Sequence, residues 1–188
     1  MARQDQRTPA VDFETLYRDY GRSVLNLVYR MTGNEEVARD LTQDVFYKIY
    51  MRLDEFEGRS RIYTWIYRIT INHVLNYLKR ERRRKWVELL EKRIDEVFDE
   101  TSGMEDWRMA PQPPDVRLEE HQQEKIIWHI VQQLPDKLKL PFILHRYEQL
   151  AYKEIAEILD VSVSAVESRI YRARKQLVKK LEPWLGKI

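Results

Sequence analysis

The chain has 188 residues, with 33 Lys+Arg against 31 Asp+Glu, so its formal net charge is +2. A hydrophobic share of 43% can pack cores, which excludes a wholly disordered chain, and no charge-free apolar run approaches the roughly 18 residues of a membrane span. There is no cysteine, hence no disulfide and no thiolate metal site, in keeping with a reducing compartment.

The opening residues, MARQDQRTPAVDFE, lack the apolar stretch of a secretory signal. From Val11 to Leu90 the apolar spacing is helical nearly throughout. Val37, Leu41, Val45 and Ile49 recur every four residues, one stripe of an amphipathic helix. Asn34 is placed to cap its start, with Glu35 and Glu36 in the first turn where the helix dipole favours acids. The opposite face carries Asp40, Gln43, Asp44 and Tyr47. A polar loop, EFEGRSR, follows around Gly58.

The next helix, Thr64 to Lys79, brings Trp65, Ile69 and Val74 near one face, with Ile66, Leu75 and Leu78 adding to it. It is also dense in aromatic and polar side chains: Tyr63, Trp65, Tyr67, Arg68, Asn72, Asn76 and Tyr77, running into Lys79 and Arg80. Aromatics interleaved with cations beside a polar loop suit unstacked bases, because every base offers a face to stack on and arginine neutralises backbone charge. On its chemistry alone Trp65 reads as core.

Composition then shifts. Lys79–Lys85 reads KRERRRK, after which the chain turns acidic and ends in Pro111, Pro113 and Pro114. Residues 89–118 read as a linker whose first part has helical spacing. It separates a module over 10–88 from a second one over 119–186, each small for a generous core. In the second, Ile155, Ala156, Ile158 and Leu159 form one apolar side, Asp160-Val161-Ser162 a turn, and Ser162 or Ser164 a cap. Val166, Ile170, Ala173, Leu177 and Leu181 then step by four, three, four and four. This is helix-turn-helix spacing, with small Ala156 where two helices cross closely. The solvent side of its last helix carries Arg169 and Arg172, able to bind phosphate or read guanine. No alternating strand pattern occurs. The expected fold is all-α: two small helical modules joined by an acidic linker, the C-terminal one a helix-turn-helix.

DLTQDVF, FEGRSRIYTWIYRITIN and LAYKEIAEILDVSVSAVESRIYRAR, in that order, resemble the extracytoplasmic-function (group 4) sigma factors of the bacterial sigma-70 family. The likeness spans almost the whole chain. It implies that Asp40, Leu41, Gln43, Asp44, Phe46 and Tyr47 dock on the clamp helices of the RNA polymerase β′ subunit. It implies that Phe56, Gly58, Arg59, Ser60 and Arg61 form the loop that captures a flipped base of the −10 element, with Asn72 and Asn76 beneath it. Tyr63, Trp65, Tyr67 and Arg68 match the family's melting helix, and Lys79 and Arg80 extend this DNA face. Ser164, Ala165, Glu167, Ser168, Arg169, Tyr171, Arg172 and Lys175 match the −35 reading helix, assisted by Tyr152 and Lys153.

The implied partners are core RNA polymerase (β′ clamp helices and β flap), promoter DNA, duplex at −35 and single-stranded at −10, and an anti-sigma factor. The acidic linker would thread toward the polymerase cleft as a nucleic-acid mimic. The resemblance implies no catalytic residue, metal or cofactor, no direct membrane insertion, and a bacterial cytoplasmic location where an anti-sigma factor can hold the chain at the membrane.

Some positions depart from the family's pattern. Ser164-Ala165 stands where a Gly-Thr pair commonly opens the reading helix. Glu167 replaces a usual base and can accept from cytosine N4. Asp160 replaces a turn glycine and, like Asn, tolerates left-handed backbone. Pro141 is expected early in a helix, where its missing N–H matters little. A stand-alone helix-turn-helix regulator is the alternative, but it leaves DLTQDVF and the aromatic loop-helix unexplained. An enzyme finds no support: His73, His121, His129 and His145 form no HExxH pair, and there is no P-loop.

Overall fold

The computed structural model describes residues 12–98 and 120–184; among them there are seven α-helices, two short 3-10 turns and no strand. Helix α1 (Phe13–Thr32) starts on Asp12, whose carboxylate accepts from the Thr15 amide at 3.1 Å. It ends on Gly33, in the left-handed region at φ 72°, where a side chain would be strained. Helix α2 (Glu35–Met51) starts on Asn34, whose side-chain oxygen accepts from Val37 N, as the sequence led us to expect. A 3-10 turn (Leu53–Glu55) leads into the polar loop, and α3 (Ile62–Phe98) follows.

The three helices share one core: Leu16, Val24, Leu27 and Val28 of α1, Leu41, Val45, Phe46 and Ile49 of α2, and Ile66, Ile71 and Val74 of α3. The apolar face of α3 is centred on Ile66, Tyr67, Ile71 and Val74, while Trp65 and Ile69 lie at its margin, half-buried. Helix α3 runs through the basic stretch and ten residues into the segment read as linker. The remainder of that linker, with its three prolines, lies outside the described residues.

The second module comprises α4 (Glu120–Gln132), α5 (Asp136–Arg146), α6 (Tyr152–Leu159) and α7 (Val163–Leu181). Ile155, Ala156 and Ile158 of α6 pack with Val166, Ile170, Ala173 and Leu177 of α7. Between them Asp160 takes the left-handed conformation, φ 52° and ψ 55°, and Ser162 caps α7, accepting from Ala165 N at 3.2 Å. Pro141 is the exception to expectation. It lies in the interior of α5, where it cannot donate to the carbonyl one turn back, Lys137.

The modules are in contact, and each caps a helix of the other. Gln132 Nε2 donates to Arg30 O at 2.8 Å and Lys139 Nζ to Met31 O at 3.4 Å, so α1 ends on donors from the second module. In return Arg68 Nε donates to Glu157 O at 2.9 Å, a carbonyl in the last turn of α6. The last carbonyls of a helix have no partner within it, so both modules gain from the exchange.

Candidate nucleic-acid interface

On α2 the structure divides the residues matched to polymerase docking. Asp40, Gln43, Asp44 and Tyr47 are exposed, whereas Leu41 and Phe46 are 4% and 3% exposed and hold the helix from below. Phe46 meets Tyr17 edge-on at 4.9 Å, and Phe13 meets Tyr50 at 5.2 Å, so an aromatic cluster continues this face onto α1. Asp44 is oriented from α3. Lys48 Nζ donates to His73 Nδ1 at 2.7 Å, which leaves Nε2 as the protonated nitrogen, 3.3 Å from the Asp44 carboxylate. Burial, then the neighbouring Lys48 charge, holds the imidazole below its ordinary pKa.

The loop before α3 turns at Gly58, φ 70°. Phe56 folds back to lie 5.4 Å from Trp65, so loop and helix share an aromatic contact. Arg59 is exposed and pairs with Glu57, and Ser60 is half-buried beside it. From Arg61 onward, Trp65, Arg68, Asn72, Asn76 and Lys79 follow at intervals of three or four, one stripe along α3 with Arg80 at its margin. That stripe is about 28 Å long at 1.5 Å per residue. Arg61, Arg68, Asn72, Asn76, Lys79 and Arg80 are exposed and Trp65 half-buried. Cations, amides and an aromatic in a line can track a single strand.

On α7, Ser164, Glu167, Ser168, Tyr171, Arg172 and Lys175 are exposed, while Ala165 and Arg169 are half-covered. Tyr152, half-buried under the His145 ring at 4.9 Å, joins Glu167, Ser168, Tyr171, Arg172 and Lys175 around an open concavity of about 690 Å³. Lys153 is exposed on the next residue of α6. Six of the ten residues matched to −35 reading therefore line one open concavity, and Lys153, Ser164, Ala165 and Arg169 are not among its lining residues.

Sequence reasoning missed the residues between the modules. Glu148 accepts from Arg30 Nη1 at 2.6 Å and from the Tyr67 hydroxyl at 2.9 Å, and its side chain is only 9% exposed. Burial first, then the Glu148 charge, lifts the Tyr67 phenol far above its ordinary pKa. Glu154 accepts from Tyr63 OH at 2.6 Å, Ala151 N at 2.9 Å and Arg61 Nη1 at 3.2 Å. The Tyr63 bond, then the Ala151 amide, holds that carboxyl below the usual range. Arg30 also lies over the Tyr147 ring at 4.8 Å, and Tyr29 stacks on Trp128. Nothing in the local sequence marks these pairs, which lie about eighty or more positions apart.

Among the described residues no cluster of His, Asp and Glu could hold a metal, and no helix is long and apolar enough to cross a membrane.

Comparison with known proteins matches residues 16–84 to "Sigma-70 region 2" and 124–177 to "Sigma-70, region 4". The chain is 32% identical over 180 residues to the RNA polymerase sigma-H factor of Pseudomonas aeruginosa, covering 96% of the chain and 91% of that protein. It is 33% identical over 171 residues to the ECF RNA polymerase sigma-E factor of Haemophilus influenzae, covering 91% and 88%. The sigma-E factor of Escherichia coli matches equally well, at 33% over 91% of the chain and 87% of that protein.

Two solved structures share the fold. CnrH, in complex with the cytosolic domain of CnrY, aligns with a TM-score of 0.63 at 20% identity over 90% of this chain and 87% of that one. The sigma factor RpoE, in complex with the anti-sigma factor NepR from Bartonella quintana, aligns with a TM-score of 0.58 at 22% identity, covering 91% and 97%.

Proposed function

The chain belongs to the sigma-70 family, in its extracytoplasmic-function group, and we propose that it directs core RNA polymerase to promoters by reading a −35 element with α7 and capturing melted −10 DNA along α3. The observation that carries this is the presence, in order and in one chain, of both sigma modules, with relatives that match it across 91% of its length or more. A stand-alone regulator would need only the second module. The family acts without catalysing a reaction itself, and the proposed role is binding throughout.

In this reading the exposed α2 face of Asp40, Gln43, Asp44 and Tyr47 meets the β′ clamp helices, and the second module meets the β flap. Phe56 to Arg61, with Asn72, receives a flipped base; unstacking costs a few kcal/mol, which pocket contacts return in part. Arg169 and Arg172 face the major groove from α7. The chain would act in the bacterial cytoplasm, where polymerase and chromosome are. The two structural neighbours are complexes with CnrY and with an anti-sigma factor, which supports a sequestering partner of that kind for this chain.

Run-off transcription with core polymerase on the region upstream of its own gene tests the proposal. Defined transcripts are expected only when the chain is added. Tight, specific duplex binding without polymerase, and no stimulation of transcription, would support the stand-alone regulator instead.

A further inference from the structure

Asp44 belongs to the exposed α2 face proposed to meet the clamp helices, yet it is bonded from behind by a buried residue of another helix. That residue, His73 of α3, is 8% exposed. Its ring meets two side chains that lie one turn apart on α2. Lys48 Nζ is 2.7 Å from Nδ1, and Asp44 Oδ2 is 3.3 Å from Nε2. An ammonium group can only donate, so Nδ1 is the acceptor and the ring proton sits on Nε2, toward the carboxylate. Burial first, then Lys48 and more weakly Arg80, disfavours the imidazolium and outweighs Asp44. The ring is therefore a neutral donor of fixed sense. Lys48 sets its tautomer, and the core around Ile71 and Val74 of the same helix holds it still.

The Asp44 side chain is 64% exposed, so it is open to a partner. An exposed carboxylate that turns freely has to be immobilised when a cation binds it, which costs affinity. A carboxylate has about four acceptor positions, so one donor on Oδ2 steers it without exhausting it.

We infer that His73 is a positioning residue for polymerase docking: from the core side it holds the Asp44 carboxylate in the orientation that a cationic side chain of the clamp helices meets. The inference rests on the sigma reading above. Asn72, the preceding residue, is exposed on the proposed DNA stripe. Two consecutive residues of α3 thus serve two different partners, one directly and one through α2.

Substitutions separate the two ring nitrogens. Glutamine puts an amide nitrogen near the place of Nε2 and keeps a donor for Asp44. Asparagine is one methylene shorter; it keeps an acceptor for Lys48 near the place of Nδ1 and does not reach Asp44. The test measures binding of the full-length chain to core polymerase by fluorescence anisotropy, and run-off transcription as the chain is titrated. His73→Asn is expected to weaken docking about threefold to fivefold, the effect of losing one side chain ordered in advance, and His73→Gln to stay within about twofold of wild type. The concentration giving half-maximal transcription should rise by the same factor in His73→Asn, with the plateau unchanged. In an Asp44→Ala background His73→Asn should add nothing, because the carboxylate it acts through is gone.

Equal losses with and without Asp44, or equal losses in the Gln and Asn variants, would reduce His73 to a support of the fold and overturn the inference. So would a lowered plateau at unchanged half-saturation. Should the variants fold poorly, heteronuclear NMR of the wild-type imidazole near neutral pH decides. A proton on Nε2 alone supports the positioning, and a proton on Nδ1 or on both nitrogens overturns it. Wild-type activity with docking indifferent to Asp44→Ala overturns the positioning alone. A wild-type chain that neither binds nor activates core polymerase overturns the sigma reading and the positioning with it.

Discussion

Lys139 places an ammonium group in the contact between the modules at 6% exposure, and replacing it by Met asks whether that charge stabilises the fold. Its Nζ has weak partners: Gln132 Oε1 at 3.3 Å, Met31 O at 3.4 Å and Asp136 Oδ1 at 3.6 Å. The first two are at the long edge of hydrogen bonding and together contribute about 1 kcal/mol. Attraction to Asp136 amounts to about 4–5 kcal/mol at an effective dielectric of 20. Arg82 competes for the same carboxylate and repels Lys139.

Against this, burying an ammonium costs several kcal/mol. Burial is the larger influence, because it pulls the lysine below its ordinary pKa despite Asp136. Lys139→Met keeps the long stem, removes the buried charge and leaves the Met31 carbonyl short of one donor. These changes nearly offset, so the expected change is within about 1 kcal/mol of zero, whereas Lys139→Ala opens a cavity and should lose about 2–3 kcal/mol. Urea denaturation at pH 7 with an unchanged slope measures both. A Met variant as unstable as the Ala variant would refute the reasoning, since the ammonium itself would then be a net stabiliser.

Asn72→Ala is expected to impair open-complex formation, followed by permanganate reactivity, more than polymerase affinity; equal losses would remove Asn72 from the base pocket. Arg172→Ala should weaken −35 binding by about 1–3 kcal/mol and relax one base position if the guanidinium reads guanine bidentately. A uniform loss across −35 variants with a smaller salt slope would mean phosphate contact only. His73 is held below its ordinary pKa, so the unfolded chain takes up that proton first as pH falls. Its contribution is full above about pH 6.5 and declines below it until the folded form also protonates. The stability difference between wild type and His73→Gln should therefore shrink from pH 7.5 to pH 5.5. A constant difference in urea midpoint would show that the ring does not titrate in this window.

Local chemistry was legible in the sequence, and its failures have a common cause. Asn34 and Ser162 cap where hydroxyl and amide groups at helix starts should, and Asp160 adopts the left-handed turn its side chain tolerates. The helix-turn-helix face emerged from steps of three and four because such spacing reports a helix's own faces. It does not report which foreign helix meets a face. Nothing in the spacing therefore singles out Glu148 and Glu154, although each is bonded to residues of the first module. Spacing already put Leu41 on the apolar stripe of α2, whereas Phe46 lies off that stripe, and its packing against Phe13 and Tyr17 of α1 is what shows that it points inward. The shift from basic to acidic composition after Lys85 suggested a boundary, yet charge does not end a helix, and no Gly or Pro interrupts residues 62–98.

That uninterrupted helix separates direction from distance. After Leu78 the last twenty residues of α3 extend about 30 Å, and whatever follows Phe98 departs from the tip of this boom rather than from the module's surface. One residue inserted within α3 beyond the core would swing the departure point by about 100° around the helix axis. The same insertion after Phe98 would leave that bearing untouched. Paired insertions of this kind would show whether promoter spacing depends on the bearing of the tether or only on its length.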